Sequence, residues 1–493
     1  MAGIGFELKK LFKDSGFFSN LRAYAYTALV SLGPFILCTI IIVAIMQFLG
    51  YMDVSFKDRE LFIASVVYSF IFSQIIASGF KMMVTRFIAD MLYSEKFEYI
   101  MPSLYGVLST AVPLSGIIGI LFFWNSPIQF EIKLVSYLLF MELVIVFIMM
   151  EYLSTLKDYM KIVKSFLWGI GTILVLSFVF LKFTNFQTVF GLLLAMDLGF
   201  FIIIVSLMVY LKNFFGKSVS KYFEFVKHFD KYPALFFVAF FYTLGLYVHN
   251  FLFWTSELGV KIGGTYIYAP TYDVPTFYAF LSIMPSMIVF VVSIETSFYD
   301  KYKAYYTLIT GKGNLTDIEN AKKDMIRTLW SEIRNIMEIQ LFFTLVFIAA
   351  GSYLLPKIGL SQLSIDIFNV LTLGAYFNII MLIITLILLY FEDRRGALFV
   401  SSTFLVSNVI FTYLTMNYSE NTYGVGFFLA ALVSVILAII ELIVYLKNIN
   451  YHTFCGQPII YKEKRGLFSH LVDFFTPRSE RAAQQGTKTS LKQ

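Results

Sequence analysis

Charge is scarce in this chain. Asp, Glu, Lys and Arg make up only 14% of its 493 residues, against the quarter or so that a water-soluble domain carries on its surface. Cysteine is scarcer still, with only Cys38 and Cys455, one inside an apolar run and one beyond the last run. That spacing excludes a disulfide framework and a thiolate metal site. The four histidines are scattered. P-loop, GxSxG and HExxH motifs are all missing, so the chain carries no sequence signature of an ATPase module, a serine hydrolase or a zinc protease. Neither a catalytic residue, a metal nor a cofactor is expected. An early secretory cleavage pattern is also lacking.

Hydrophobic residues fill the gap, at 58% of the chain with a mean hydropathy of +0.76. Aromatics reach 19%, with 56 Phe and 32 Tyr. Water cannot solvate such a surface, whereas a bilayer can. Twelve apolar runs are long enough to cross a hydrocarbon core of about 30 Å at about 1.5 Å per residue. They fall near 23–49, 61–80, 101–124, 133–156, 163–182, 187–211, 233–256, 275–299, 336–356, 366–391, 397–416 and 423–446. Lys182, Asn185 and Gln187 mark a turn that divides the long region 163–211. The expected fold is an all-α polytopic membrane protein.

Lys and Arg then orient it. With the N-terminus placed inside, 32 of the 38 basic residues fall in inner segments. Only Lys57, Arg59, Lys133, Lys182, Lys261 and Lys357 fall outside. Cytoplasmic loops carry such an excess, and one missed span would reverse it downstream. Both termini are therefore expected in the cytoplasm. The net charge of +6 is topological and calls for no nucleic-acid partner.

The expected divisions are an interfacial amphipathic helix at 1–20, a six-helix bundle at 21–211, a basic connector at 212–232, a second bundle at 233–447 and a tail at 448–493. The amphipathic reading rests on Ile4, Leu8, Leu11 and Phe12 sharing one helical face. The second bundle includes the longest inner loop, 300–335, where Thr316 and Glu319 have capping-box spacing before a charged helix that runs into the ninth span. The longest outer loop, 257–274, is too short and too poor in acids to hold a catalytic domain. The tail beyond 460 is polar and is expected to be disordered.

Polar groups within spans cost roughly 2.5–3.5 kcal/mol near mid-membrane, so each needs a reason. Glu142 and Asp197 lie near the bilayer centre of the fourth and sixth spans; either a proton site or a neutral interhelical hydrogen bond explains them. His249 and Asn250 precede Trp254 in the seventh span. Glu295 follows Pro285 in the eighth, where the proline kinks the helix and frees carbonyls. Lys81 and Arg86 end the second span, and Tyr24 and Tyr26 flank the first. Positive-inside anchoring and an interfacial aromatic belt are the simpler accounts of those two pairs.

Several stretches together resemble the PelG family, the membrane proteins of Pel exopolysaccharide systems in biofilms. They are the opening Met-Ala-Gly-Ile-Gly-Phe-Glu-Leu-Lys-Lys-Leu, Arg22-Ala-Tyr-Ala-Tyr26, Ser31-Leu-Gly-Pro34 and Val84-Thr-Arg-Phe-Ile-Ala-Asp90. Further on come Leu252-Phe-Trp254, Tyr272-Asp-Val-Pro-Thr-Phe277, Ile283-Met-Pro-Ser286 and Ile294-Glu-Thr-Ser-Phe-Tyr299. The similarity runs from residue 1 to about 460. Where the family usually carries a charged pair, this chain has His249-Asn250.

The resemblance implies two six-helix bundles around a central cavity lined by spans one, two, seven and eight, the flippase architecture of the MOP superfamily. Those spans hold Tyr24, Tyr26, Lys81, Arg86, Trp254, Asp273 and Glu295. It also implies export of a cationic amino-sugar polymer, made by a cytoplasmic glycosyltransferase that uses a UDP-amino sugar, alongside other Pel membrane proteins. Loop 300–335 and the N-terminal helix are the surfaces available to that enzyme. Two other classes stand beside this one: a membrane-embedded polymerase, and a scaffold that activates the synthase without transporting.

Overall fold

The computed structural model describes residues 17–52, 54–154, 159–184, 186–216, 219, 221–311, 313–455 and 466–470, with the side chains of 17–25, 29–32, 159, 295 and 296 outside the description. The expected helix over 1–20 and most of the tail therefore lie outside the described residues.

Among the described residues, twelve helical segments are long and apolar enough to cross a membrane. Hydrocarbon offers no hydrogen-bond partners, so a spanning segment must satisfy its own backbone, and the helix does so residue by residue. In the first half these are α1 (Phe17–Tyr51), α2 (Phe56–Tyr93), α3 (Ile100–Phe123), α4 (Phe130–Ser154), α5 (Tyr159–Phe183) and α6 (Thr188–Phe215). The expected break within 163–211 is real, and α6 starts directly after Gln187. α1–α6 form one lobe, through the pairings α1 with α5, α2 with α4, α4 with α6 and α5 with α6.

The second half begins with α7 (Pro233–Trp254), whose proline occupies the first turn, where no backbone N–H is needed. The eighth span is broken into α8 (Pro270–Leu281) and α9 (Met284–Ser293). Pro285 sits in the first turn of α9 and cannot donate to the turn before it, so the helix interrupts there. At this break the carbonyl of Ser282 accepts a hydrogen bond from the buried amide of Gln340 at 3.2 Å. A π turn, Ile294–Phe298, carries the chain on into α10 (Tyr299–Thr310). Then follow α11 (Leu315–Leu354), α12 (Gln362–Tyr390), α13 (Arg394–Met416) and α14 (Val425–Lys447). α7 packs on α13, α12 on α14 and on α8, and α11 on α12.

Two expectations need correction. The 300–335 segment is a helical hairpin of α10 against the first half of α11. At 40 residues α11 is about 60 Å long, twice the thickness of the hydrocarbon core. Its cap is Asn314, whose side chain accepts from the Asp317 N–H at 2.9 Å. The Thr316–Glu319 spacing lies inside the helix, because Asn two residues earlier is the stronger cap. The outer loop before α8 holds two short strands, β1 (Val260–Ile262) and β2 (Tyr266–Tyr268), paired antiparallel with Lys261 opposite Ile267. Gly263 and Gly264, with φ of 56° and 68°, open the three-residue connection 263–265, a backbone that glycine adopts without strain.

Replacing Gln340 with Leu leaves the Ser282 carbonyl buried and unpaired. The expected outcome is a loss of about 1–3 kcal/mol, seen as a lower unfolding temperature in detergent. An unchanged transition would mean that the break in the eighth span needs no support from α11.

Candidate transport pathway and its two closures

The two lobes meet along α2 and α7, and α9 touches α1. The chemistry that joins them differs at the two ends of the seam.

At the end bearing the β-hairpin, α7 presents His249, Asn250, Phe253 and Trp254, and the first turn of α8 presents Tyr272 and Asp273. Asp273 accepts from Asn250 at 2.7 Å, from the Trp254 indole at 2.8 Å and from the Ala269 backbone N–H at 2.9 Å. The last bond reaches back to the residue before the helix, where an acid also suits the positive end of the helix dipole. His249 Nδ1 lies 2.8 Å from the Tyr272 hydroxyl, and the Tyr272 ring stacks on Phe253. His249 Nε2 is buried without a partner.

Trp254 carries this cluster across the seam. It stacks on Tyr68 of α2, ring centroids 4.8 Å apart and planes 13° apart. The Tyr68 hydroxyl donates to the Ile267 carbonyl at 2.5 Å and accepts from the Ile267 N–H at 2.9 Å. It thereby adds itself to the outer edge of β2. Phe72 stacks on Phe251, Tyr247 donates to Gln74, and Ser126 bonds Thr265 at 2.6 Å. Beside Tyr68 lies an apolar cavity of about 80 Å³, lined by Phe72, Phe122, Ser136 and Tyr266 among others.

The opposite end is ionic. Arg86, near the end of α2, pairs with Asp90 at 3.2 Å and crosses to Glu392 at 2.9 Å. Glu392 follows α12 with φ of 65°, a strained conformation for a residue with a side chain, and also holds Arg394 at 2.7 Å. The Tyr232 ring has the Arg86 guanidinium on it at 5.1 Å and that of Arg394 at 4.3 Å. Asp90 further takes His228 at 3.2 Å and Lys231 at 3.9 Å. Lys81 pairs with Glu151 of α4 within the first lobe, at 2.6 Å.

Glu142 and Asp197 belong to the first lobe, on α4 and α6, close enough to feel each other's charge. Asp197 is 5% exposed and neither of its carboxyl oxygens has a partner; Glu142 Oε2 is likewise buried and unpaired. Tyr26 is half-buried near the start of α1. The side chains of Tyr24 and Glu295 lie outside the description, although the backbone of Glu295 belongs to the π turn.

Of the residues singled out from sequence, His249, Asn250, Trp254 and Asp273 form one cluster, Arg86 joins the ionic end, and Glu142 with Asp197 form a separate pair. Sequence reasoning passed over Tyr68, Gln74, Tyr232, His228 and Glu392. A signal existed for the last, because Glu392-Asp-Arg-Arg395 is a charged run between two apolar spans.

This arrangement, two six-helix lobes closed on each other, is that of a membrane transporter. A MOP superfamily transporter from Pyrococcus furiosus Vc1 (DSM3638) superposes with a TM-score of 0.60 at 13% identity, covering 87% of this chain and 96% of that one. A MATE transporter in the bent conformation gives 0.57 at 13%, covering 91% and 99%. An outward-facing multidrug resistance MATE family transporter gives 0.55 at 12%, covering 86% and 96%. At such identities the likeness establishes the fold. The sequence itself matches the PelG family model, described as "Putative exopolysaccharide Exporter (EPS-E)", over residues 1–454. The chain belongs to the PelG family: a multi-pass membrane protein of a family of polysaccharide exporters, which is not an enzyme family. No curated protein matches it.

If Arg86 and Glu392 hold the lobes together, Arg86→Gln and Glu392→Gln will be non-additive. A double-mutant cycle of unfolding temperatures in detergent should give a coupling of about 0.5–3 kcal/mol. Additive losses would remove the pair as a tie between lobes.

Proposed function

We propose that this protein exports a Pel-like amino-sugar exopolysaccharide across the cytoplasmic membrane by rocking its two lobes about the α2–α7 seam. The observation that carries this reading is the pair of unlike closures. One end is shut by stacked rings and hydrogen bonds to β2, the other by ion pairs around Tyr232. Each can open while the other stays shut, which is what passage without a leak requires. The basic end faces the cytoplasm on this reading, as the distribution of 32 of 38 basic residues argues, and both termini lie there.

Tyr24, Tyr26, Lys81, Arg86, Trp254, Asp273 and Glu295 are offered to the pathway. Trp254 and Tyr68 are flat faces on which a sugar ring stacks once the lobes part, and Asp273 supplies an acceptor beside them. The α10–α11 hairpin extends beyond the bilayer at the basic end and is offered to the cytoplasmic UDP-sugar-dependent glycosyltransferase, with other Pel membrane proteins alongside. The first lobe spans 21–211 and the second 233–447, joined through 212–232.

A scaffold reading draws on the same hairpin, since a docking surface of that length serves a synthase whether or not glycan passes. Inside-out vesicles holding this protein and its glycosyltransferase, fed a labelled UDP-amino sugar, separate the two. Export protects the product from added glycan hydrolase, and Trp254→Ala cuts that protection about tenfold or more, as expected for a central aromatic anchor. Full synthesis without protection would make the protein a scaffold, and product without any glycosyltransferase would make it an enzyme.

Glu142 and Asp197 suit proton coupling, because two unpartnered acids in hydrocarbon exchange a proton more readily than they hold a charge. Asp197→Asn or Glu142→Gln should abolish the response of protection to an imposed pH gradient while insertion is unaffected. A response equal to the parent's in both variants would leave the movement driven by chain elongation.

A further inference from the structure

The chain bends back on itself at the basic end. Residues 466–470, from the tail, sit on the connector between the lobes, and they do so through one carboxylate. Asp230 accepts from the backbone N–H of Gly466 at 3.2 Å, of Phe468 at 3.2 Å and of Ser469 at 2.6 Å, and from the Ser469 hydroxyl at 2.6 Å. Partial burial pushes this carboxyl up, but the four donors outweigh it and hold it below its usual range. It is therefore ionised at neutral pH. Ser469 is 6% exposed in this seat, and the Phe468 ring lies 5.5 Å from that of Phe229.

The fit is close at Gly466. A Cβ on Gly466 would stand 2.4 Å from Asp230 Oδ1, nearer than any side-chain carbon is tolerated. A side chain at 466 would have to push the Asp230 carboxylate aside.

The seat matters because of its neighbours. His228 and Lys231 hold Asp90 of the first lobe. Phe229 packs on Phe236 of the second. Tyr232 lies against both Arg86 and Arg394, one from each lobe. Asp230 stands in the middle of these five consecutive residues and is the one turned to the tail. Any rocking of the lobes must strain or release this stretch. Moreover, the family match stops at residue 454, so the segment that grips Asp230 lies outside the exporter core.

We propose that the C-terminal segment around 466–470 is an intramolecular strap, which by seating on Asp230 holds the connector in the arrangement that keeps the basic end closed. Displacing the strap frees the connector and lets Arg86 part from Glu392. This regulation rests on the structure of the connector, and its test needs no transport.

Spin labels at S94C and N448C, both exposed sites at the basic end of different lobes, report the separation of the lobes in the full-length chain carrying C38A and C455S. Asp230→Ala and Gly466→Ala break the clip from opposite sides, so a folding defect peculiar to one does not decide the matter. Limited proteolysis of the tail reports its release. Both variants should expose the tail and raise the fraction of long distances by about fivefold, the weight of one net hydrogen bond. Adding a synthetic 461–493 peptide to a chain cut at 460 should restore the short distance. A tail that is released while the distances stay as in the parent would overturn the proposal. So would a tail that stays protected in both variants.

Discussion

Hydrocarbon cannot hydrogen-bond, and every feature of this molecule answers to that. The backbone crosses as twelve helical spans among the described residues because a helix satisfies itself. Where the eighth span breaks, beside Pro285, a neighbouring helix contributes a donor, and Gln340 bonds the Ser282 carbonyl. Where two strands occur, they lie at an end of the bundle, pair with each other and are completed by the hydroxyl of Tyr68. Asp273 is acceptable among buried rings because three donors converge on it.

The same constraint separates the two closures chemically. Ring stacking gains by removing apolar faces from water and needs no charge. Ion pairs between exposed or half-exposed groups are weak singly, and gain strength only as a network in which each partner is already held. At the basic end Arg86, Asp90, Glu392, Arg394, His228 and Lys231 form such a network around Tyr232. Glu392 takes a positive φ just after α12, from where its side chain reaches both Arg86 and Arg394. A tie of this kind is firm when assembled and reversible when one member moves, as a gate must be.

Much of the fold was legible because its signals are local. Span number, the break before Gln187 and the kink at Pro285 are each written in a few consecutive residues. The hairpin turn was equally local, since Gly263-Gly264 between Val260, Ile262, Tyr266 and Tyr268 is a hairpin pattern, yet it lay within a loop that hydropathy alone treats as a connection. The Asn314 cap was overlooked for a similar reason, because Thr316 and Glu319 match a spacing rule and Asn314 matches only a residue preference. The clusters were far less legible. His249 and Asn250 stood out as polar residues in a span, but nothing near them in the chain names Tyr272 and Asp273 as their partners.

By itself, then, the sequence determined that this is a twelve-span membrane protein of the PelG kind, because hydropathy and the opening motifs act over short stretches and need no partner. It placed acids in the spans without saying what they meet. The tertiary structure alone decided that Asp273 is tied down by Asn250 and Trp254, that Arg86 reaches Glu392 and that the tail grips Asp230. Those pairings join residues from 19 to more than 300 positions apart. Only the packing of helices, set by shape across the whole bundle, brings such residues within reach of a hydrogen bond.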